Sequence, residues 1–544
     1  VLCIRAVDLQ VRDHDFLAGE GAKRHVRSLS VPGTRGAIRD RRGDPLALAA
    51  PVESIWAVPG VLLDKPEQIP NLANLLETQP AALKKSLEAR SEKKFMYLRR
   101  QLDPSTAERV MALQAPGVFL QREYRRYYPA AEVAAQLVGL TDIDIRGQEG
   151  IELALDDVLH GAAGARRVIK DRVGRVADDL AQFKPPRNGQ DVHLSIDLRL
   201  QYLAYRELKA AVAEHNARGG MMVMVDPDTG EVLASVSYPS VNPNRREAAA
   251  SQGLKNRPAT DLFEPGSTVK PLVVAKALDE RLFNASSHLA THGGKYRVGR
   301  LLVKDFRDYG DVTLERLLVK SSNVGAAKIG LALGAKRLWD SYESLGFGEH
   351  SGVGFPGEED GVLRSAEEWG EIGTATASYG YGLSVTALQL ARAYAAIAAD
   401  GVIRPLSLLR VDEAVSGERV ISVRSARQVR QFMEAVTQPE GTATKAAVEG
   451  YRVAGKTGTV RKVMAGGYTK DIHQALFVGM VPAGDPRLVA MVIVDEPGKG
   501  QYYGGLVAAP VFSRVMSRAL QILQIPPDEV NLVEDHAADR GARS

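Results

Sequence analysis

Three short elements of the sequence carry residue types that could perform nucleophilic chemistry. Ser267-Thr268-Val269-Lys270 comes first, Ser321-Ser322-Asn323 second and Lys456-Thr457-Gly458-Thr459 third. A serine alcohol is a poor nucleophile unless a base lies beside it. A lysine can be that base where burial and neighbouring cations lower its pKa and leave the amine uncharged. We therefore interpret Ser267 as a candidate nucleophile and Lys270 as its candidate base.

The spacing of the first element supports this interpretation. Ser267 and Lys270 are three positions apart, and side chains at that spacing lie on one face of a helix, about one turn apart. Pro265-Gly266 breaks the chain just before the element, and Pro271 follows it. Because proline is tolerated only in the first turn of a helix, Pro271 predicts that Ser267 lies near a helix N-terminus. The N–H groups exposed there favour developing negative charge.

The second and third elements supply groups that could move a proton and hold a substrate. Ser321 offers another hydroxyl, and Asn323 offers an amide that could bind a substrate amide. Lys456 and Thr457 pair a cation with a hydroxyl, which suits a substrate carboxylate. Gly458 would let a substrate backbone lie close to a strand. The ordered triplet is typical of serine β-lactamases and penicillin-binding proteins.

With these elements the chain resembles the class B penicillin-binding proteins, and within them the division-specific type, over nearly its whole length. Glu264 distinguishes this type from elongation-type relatives, which usually lack it. Further segments similar to the family are residues 35–41, 125–129, 150–152, 261–266, 379–382 and 502–505.

The resemblance implies a serine-type D,D-transpeptidase that cross-links peptidoglycan stem peptides during septum formation. Ser267 would attack the D-Ala-D-Ala donor and form an acyl-enzyme, and an amine of a neighbouring stem would resolve it. β-Lactams would stall at the acyl stage. The implied catalytic residues are Ser267, Lys270, Ser321, Asn323 and Lys456.

A second set of residues is implied to bind the substrate. The backbone N–H groups of Ser267 and Thr459 would form the oxyanion hole. The implied oxyanion and substrate-binding residues are Glu264, Tyr381, Thr457, Gly458, Thr459, Arg461, Tyr502 and Tyr503.

The resemblance also implies the surroundings of the enzyme. It implies no metal and no other cofactor. The partners would be stem peptides, β-lactams as covalent inhibitors, and divisome proteins that include a glycosyltransferase of the FtsW type. A net charge of +4 over 544 residues gives no reason to expect a nucleic-acid partner.

We expect a bacterial inner-membrane protein with a single-pass anchor and a periplasmic catalytic domain. The sequence contains no run of eighteen or more apolar residues, and it opens at Val1 without a methionine. We therefore expect the anchor to precede this sequence. The only cysteine is Cys3, so no intrachain disulfide can form.

Length and patterning predict a multidomain α+β protein. Residues 1–190 are expected to form an elongated mixed N-terminal pedestal, or dimerisation-like, module. Residues 191–525 are expected to form a penicillin-binding transpeptidase domain, with an antiparallel sheet flanked by helices and an α-helical subdomain. Residues 526–544 are expected to be a disordered tail. The patterns behind this prediction are helices at 197–216, 387–400 and 510–523 and hairpins at 221–236 and 474–494.

Alternative functions share parts of these motifs. Residues 450–457 fit the phosphate-binding pattern of a nucleotide hydrolase, G-x-x-x-x-G-K-[ST]. Asp495, at the end of a later apolar run, resembles the acidic residue that holds magnesium in such enzymes. That loop needs a buried strand before it and a helix after it, whereas residues 457–460 disfavour a helix start. A β-lactamase would share the triplet but needs a base that activates water. An elongation-type transpeptidase is the nearest alternative.

Overall fold

The computed structural model describes residues 26–170, 176–245, 254–413, 415–464, 467–498 and 500–528. Cys3 and nearly all of the predicted tail lie outside these residues. The described chain forms an N-terminal module and a C-terminal catalytic domain, both of mixed α and β structure. This architecture confirms the predicted fold class. The exact domain boundaries stay predictions.

The N-terminal module is built on two sheets with short helices around them. Its strands are β1 (Val26–Val31), β2 (Ile38–Arg39), β3 (Pro45–Ala57), β4 (Met96–Leu102), β5 (Val118–Tyr127), β6 (Gly164–Lys170), β7 (Val176–Lys184) and β8 (Val192–His193). One sheet has the order β1–β6–β7; the other has the order β4–β3–β2–β8, with β5 also paired to β3. Its helices are α1 (Pro59–Leu63), α2 (Ile69–Leu75), α3 (Pro80–Glu88), α4 (Pro104–Ala112), α5 (Ala135–Val138), α6 (Gly150–Ala154) and α7 (Asp156–Leu159).

A buried ionic cluster joins separate segments of this module. Arg35 Nε donates to Glu152 Oε2 at 2.6 Å, and Arg126 Nε donates to Glu152 Oε1 at 2.6 Å. All three side chains are fully buried. Arg126 Nη1 also donates to the carbonyl of Gly36 at 2.8 Å. Because buried charges are tolerated only when they are paired, this cluster fixes β5 against α6 and the segment before β2.

The catalytic domain contains the remaining elements. Its strands are β9 (Gly219–Val225), β10 (Val232–Tyr238), β11 (His288–Ala290), β12 (Lys295–Val298), β13 (Leu301–Lys304), β14 (Asp311–Thr313), β15 (Val402–Ile403), β16 (Glu418–Arg419), β17 (Ala454–Met464), β18 (Gly467–Val481) and β19 (Leu488–Asp495). Its helices are α8 (Leu198–Glu214), α9 (Arg257–Thr260), α10 (Lys270–Asp279), α11 (Leu314–Lys320), α12 (Asn323–Leu333), α13 (Ala335–Ser344), α14 (Glu371–Ala377), α15 (Ala387–Ala398), α16 (Val423–Glu434), α17 (Gly504–Val507) and α18 (Ala509–Ile522).

The central sheet unites distant parts of the chain, as predicted. It is antiparallel with the order β10–β9–β19–β18–β17, so β9 pairs with a strand that follows it by more than 260 residues. Every residue of β9 and of β19 is buried, which shows that both faces of the sheet are covered. Helices α8 and α18 pack together against it, and α15 and α16 form another packed pair.

The strongest local patterns confirm the predicted elements. Helix α8 begins after Asp197, whose side chain accepts from the N–H of Arg199 and caps the helix. The hairpins β9–β10 and β18–β19 form where the β-rich runs and the turns between them predicted them. No helix among the described residues combines the length and apolar character that a membrane span requires.

Candidate active site

Ser267 lies in a 3₁₀ turn, Gly266–Val269, that runs directly into α10. An α-helical hydrogen bond onto the Ser267 carbonyl would come from residue 271, and Pro271 has no N–H. The N–H of Lys270 donates to that carbonyl instead. The expected position at the start of a helix is therefore confirmed, with a first turn tightened by the proline.

Backbone contacts hold this turn in place. The hydroxyl of Tyr394 donates to the carbonyl of Thr268 at 2.6 Å, and the N–H of Gly266 donates to the carbonyl of Gly380 at 3.0 Å. Gly380 has a φ of +86°, and a Cβ there would lie 2.1 Å from the Gly266 oxygen. Only glycine allows the two backbones to approach this closely. The segment containing Gly380 therefore supports the turn that carries Ser267.

The second element forms a turn between two helices. Helix α11 ends at Lys320, and the capping residue Ser321 that follows has a left-handed backbone with a φ of +55°. Ser322 then caps α12, since its hydroxyl accepts from the N–H of Gly325 at 2.9 Å. The turn presents both the hydroxyl and the carbonyl of Ser321 to the buried amine of Lys270.

Asp305, which follows β13, holds the same turn from outside. Its Oδ1 accepts from the N–H groups of Asn323 and Val324 at 2.5 and 3.0 Å, and its Oδ2 accepts from the Ser322 hydroxyl at 2.6 Å. Asn323 Nδ2 donates to the carbonyl of Lys304 at 3.0 Å, which turns Asn323 Oδ1 towards Lys270. Sequence reasoning missed Asp305 because it belongs to no motif and has no fixed spacing from one.

The structure brings the three elements together at the hydroxyl of Ser321. Lys456 Nζ donates to Ser321 Oγ at 3.0 Å, and Lys270 Nζ lies 3.2 Å from the same oxygen. Lys270 Nζ also donates to the Ser321 carbonyl and to Asn323 Oδ1, at 2.7 Å each. Lys456 Nζ donates in addition to the carbonyl of Thr457 at 3.0 Å.

Burial and mutual repulsion favour uncharged amines at this point. Lys270 and Lys456 are both fully buried. Burial lowers the pKa of Lys456 to about 7. Burial, together with the positive charge of Lys456, lowers the pKa of Lys270 well below its usual range, while Asp305 opposes that shift. Lys270 is therefore suited to accept a proton.

The third element lies on β17, the edge strand of the sheet, and packs against the turn of Ser267. A Cβ on Gly458 would lie 3.0 Å from Thr268 Cγ2, and one on Gly266 would lie 2.7 Å from Val460 Cγ2. The hydroxyls of Thr457 and Thr442 are 2.9 Å apart. The strand and the turn therefore form two walls of one site.

The expected cleft residues lie around this strand. The hydroxyl of Thr459 accepts from the N–H of Gly504 at 3.1 Å, which places segment 502–505 beside β17. Tyr502 stacks on His473 at 4.2 Å between ring centroids and contacts the ring of Tyr503, which is 46% exposed. His473 is a second residue that sequence reasoning missed.

Tyr381 and Glu264 lie on the other side of the Ser267 turn. Glu264 Oε1 accepts from the N–H of Gly382 at 2.8 Å. Burial raises the pKa of Tyr381, the negative charge of Glu264 adds to the effect, and the positive charge of Arg461 opposes it. These charge effects show that Tyr381, Glu264 and Arg461 are neighbours in the fold.

The phosphate-binding alternative is wrong. Residues 450–457 run from a tight turn, where Val448 pairs with Tyr451, into strand β17 rather than into a helix. The carboxylate of Asp495, which could have held magnesium, accepts from Lys462 and from Gln474. Since a phosphate-binding loop must open a helix, this segment cannot bind nucleotide in that way.

Two protein families account for most of the chain. The penicillin-binding protein transpeptidase domain matches residues 220–517, and the penicillin-binding protein dimerisation domain matches residues 30–194. The chain therefore belongs to the class B penicillin-binding proteins, and it is a D,D-transpeptidase.

Two relatives match this chain over almost its full length, and a solved structure matches its catalytic domain. The probable peptidoglycan D,D-transpeptidase PenA of Neisseria meningitidis is 43% identical over 97% of this chain and 91% of its own length. The peptidoglycan D,D-transpeptidase FtsI of Escherichia coli K12 is 43% identical over 96% of this chain and 90% of its own. The apo transpeptidase domain of Burkholderia pseudomallei penicillin-binding protein 3 is 42% identical, covers 62% of this chain and 97% of its own, and superposes with a TM-score of 0.57.

Proposed function

We propose that this enzyme cross-links peptidoglycan stem peptides at the division septum through an acyl intermediate on Ser267. The observation that carries the proposal is the position of the Ser321 hydroxyl between two buried amines, 3.2 Å from Lys270 Nζ and 3.0 Å from Lys456 Nζ. A relative named FtsI, 43% identical over nearly the whole chain, supports the septal assignment.

Lys270 acts as the base in the acylation step. It accepts the proton of the Ser267 hydroxyl while the serine oxygen bonds to the carbonyl carbon of the penultimate D-Ala. The N–H groups of Ser267 and Thr459 stabilise the negative oxygen that forms. Losing one such donor costs about 3 to 4 kcal/mol of barrier.

Ser321 passes a proton to the leaving group. When the tetrahedral intermediate collapses, the C–N bond breaks and the terminal D-Ala leaves as an amine that needs a proton. The hydroxyl of Ser321 supplies it and regains a proton from Lys270, which holds the one taken from Ser267. An amine of a neighbouring stem peptide then attacks the ester, and Ser267 is released.

Lys456 and Thr457 bind the carboxylate of the donor. Burial makes the charged form of Lys456 costly, and an incoming carboxylate offsets that cost by pairing with it. Asn323 holds the donor amide, and Gly458 lets its backbone lie along β17. The walls of the cleft are Glu264, Tyr381, Arg461, Tyr502 and Tyr503.

Location and partners follow from the same assignment. Peptidoglycan is assembled outside the bacterial inner membrane, so the catalytic domain lies in the periplasm and the protein is held by a single-pass anchor. A glycosyltransferase of the FtsW type would supply the glycan strands whose stems this enzyme joins.

Mass spectrometry after incubation with penicillin tests the proposal. We expect one adduct on the peptide that contains Ser267 and none in Ser267→Ala. The matched control is Ser91→Ala, which removes the serine of the chain's other Ser-x-x-Lys sequence at an exposed position. An adduct that persists in Ser267→Ala would reject the assignment. An adduct released within seconds would indicate a β-lactamase instead.

A further inference from the structure

A cavity of about 840 Å³ lies where the N-terminal module meets the catalytic domain. None of its lining residues belongs to the candidate active site. Half of the lining residues are arginines and none is a carboxylate; the arginines are Arg99, Arg100, Arg125, Arg126 and Arg245. The remaining lining residues are Gln101, Tyr127, Ile143, Pro243 and Asn244. We name this cavity the arginine pocket.

The arginine pocket is formed by both parts of the protein. Asn244, which follows β10 of the catalytic domain, clamps the end of β5 in the N-terminal module. Its Oδ1 accepts from the N–H of Tyr128 at 3.0 Å, and its Nδ2 donates to the carbonyl of Tyr128 at 2.9 Å. A ligand in the pocket would therefore contact both parts at their junction.

Arg126 leaves a buried donor unused at this pocket. The residue is only 3% exposed, and its Nε and Nη1 are taken by Glu152 and the carbonyl of Gly36. Among the described residues, its Nη2 has no hydrogen-bond partner. A buried donor left unsatisfied costs free energy. Because that nitrogen is almost fully shielded from solvent, Arg126 forms a wall of the pocket rather than a direct ligand contact.

The other arginines differ in how firmly they are paired. Arg100 is held by Glu123 and Asp144 at 3.1 and 2.8 Å. The ion pairs of Arg99 and Arg125 are loose, at 3.7 and 3.6 Å, and their carboxylate partners are mostly exposed. For Arg245, the described part of the chain provides no ion pair. Nearby carboxylates therefore compensate the positive charge of the pocket only in part, least at Arg99, Arg125 and Arg245.

We propose that the arginine pocket is a non-catalytic binding site for an extended acidic peptide segment. Its volume falls in the range of sites that enclose ligands larger than a single inorganic anion. Arginine forks match the carboxylates of such a segment. Tyr127 and Ile143, 49% and 41% exposed, offer apolar contact between the charges.

Fluorescence anisotropy with a labelled hexaglutamate peptide tests this site. The triple variant Arg99→Ser, Arg125→Ser and Arg245→Ser should bind the peptide about tenfold more weakly or worse. Binding by the unchanged protein should weaken as salt is added. The matched control is Arg122→Ser, on the same strand as Arg125 but outside the pocket and 72% exposed, which should bind as the unchanged protein does.

Penicillin labelling separates a loss of peptide binding from a loss of folding. All variants should retain penicillin labelling of Ser267, which shows that they are folded. Equal peptide binding by the triple variant would overturn the proposal. So would full displacement of the peptide by inorganic phosphate at equal concentration, because the pocket would then be a phosphate site.

Discussion

The amine of Lys270 lies 2.7 Å from the side-chain oxygen of Asn323. An uncharged amine has two N–H groups. One donates to Asn323, and the other donates to the carbonyl of Ser321, also at 2.7 Å. With both hydrogens directed at fixed acceptors, the lone pair is left for a hydroxyl. Asn323 therefore orients Lys270 as a base, and the two residues work as one unit.

The first prediction concerns the pH dependence of acylation. The pKa of Lys270 is lowered well below its usual range, so the neutral base exists above that lowered pKa and is lost as the pH falls through it. In Lys456→Met the repelling charge is gone, so the pKa of Lys270 should rise and the acid limb of the profile should move to higher pH. The measurement is the acylation rate constant of a fluorescent penicillin between pH 5 and 9.

Lys462→Met provides the control for this prediction. Lys462 lies on the same strand as Lys456, but its charge is paired with Asp495 and Glu496 and does not act on Lys270. Its variant should keep the original profile. If Lys456→Met also leaves the acid limb in place, the two amines are not electrostatically coupled.

The second prediction concerns Asp305. Its negative charge raises the pKa of Lys270 against the larger effect of burial. Asp305→Asn should therefore move the acid limb to lower pH, opposite to the shift in Lys456→Met. Its maximal acylation rate should fall about tenfold or more, because an amide cannot accept all the hydrogen bonds that the carboxylate takes from Ser322, Asn323 and Val324. A slower rate with an unmoved pH profile would show a structural role alone.

Sequence patterns predicted the parts of this site whose structure is determined locally. The patterns of β9 and β19 indicated strands of two hairpins, and the cap and periodicity of α8 indicated a helix. Spacing and Pro271 placed Ser267 at a helix start. These features depend on neighbouring residues, so a single sequence contains the needed information.

The parts that could not be predicted depend on contacts between distant segments. Asp305 reaches the turn of Ser322 and Asn323 only because the β12–β13 hairpin folds against α12. Gly380 meets Gly266 across more than a hundred residues. Periodicity and turn signals carry no information about these long-range contacts, because they form only through tertiary packing.

The third prediction uses that glycine contact. Gly380→Ala would place a Cβ 2.1 Å from the Gly266 oxygen on a backbone with positive φ. We expect a loss of stability of about 3 kcal/mol or more and slower acylation of Ser267.

Gly382→Ala is the control, because Gly382 also has a positive φ but nothing lies within 4 Å of the position that the new methyl group would take. It should lose only about 1 to 2 kcal/mol. Thermal unfolding compares the two variants, and equal losses would contradict the close contact.

The fourth prediction concerns the buried cluster of the N-terminal module. Glu152 neutralises Arg35 and Arg126, and all three side chains are fully buried. Glu152→Gln should destabilise the module by about 3 to 5 kcal/mol, because buried Arg126 loses the carboxylate with which it pairs and Arg35 is left with Asp156 alone. Glu53→Gln, whose partner Arg122 is 72% exposed, should cost about 1 kcal/mol at most. Urea unfolding followed by the fluorescence of Trp56, the only tryptophan of this module, measures both. A loss below about 1 kcal/mol in Glu152→Gln would show that the arginines find other acceptors and that the cluster does not hold β5 in place.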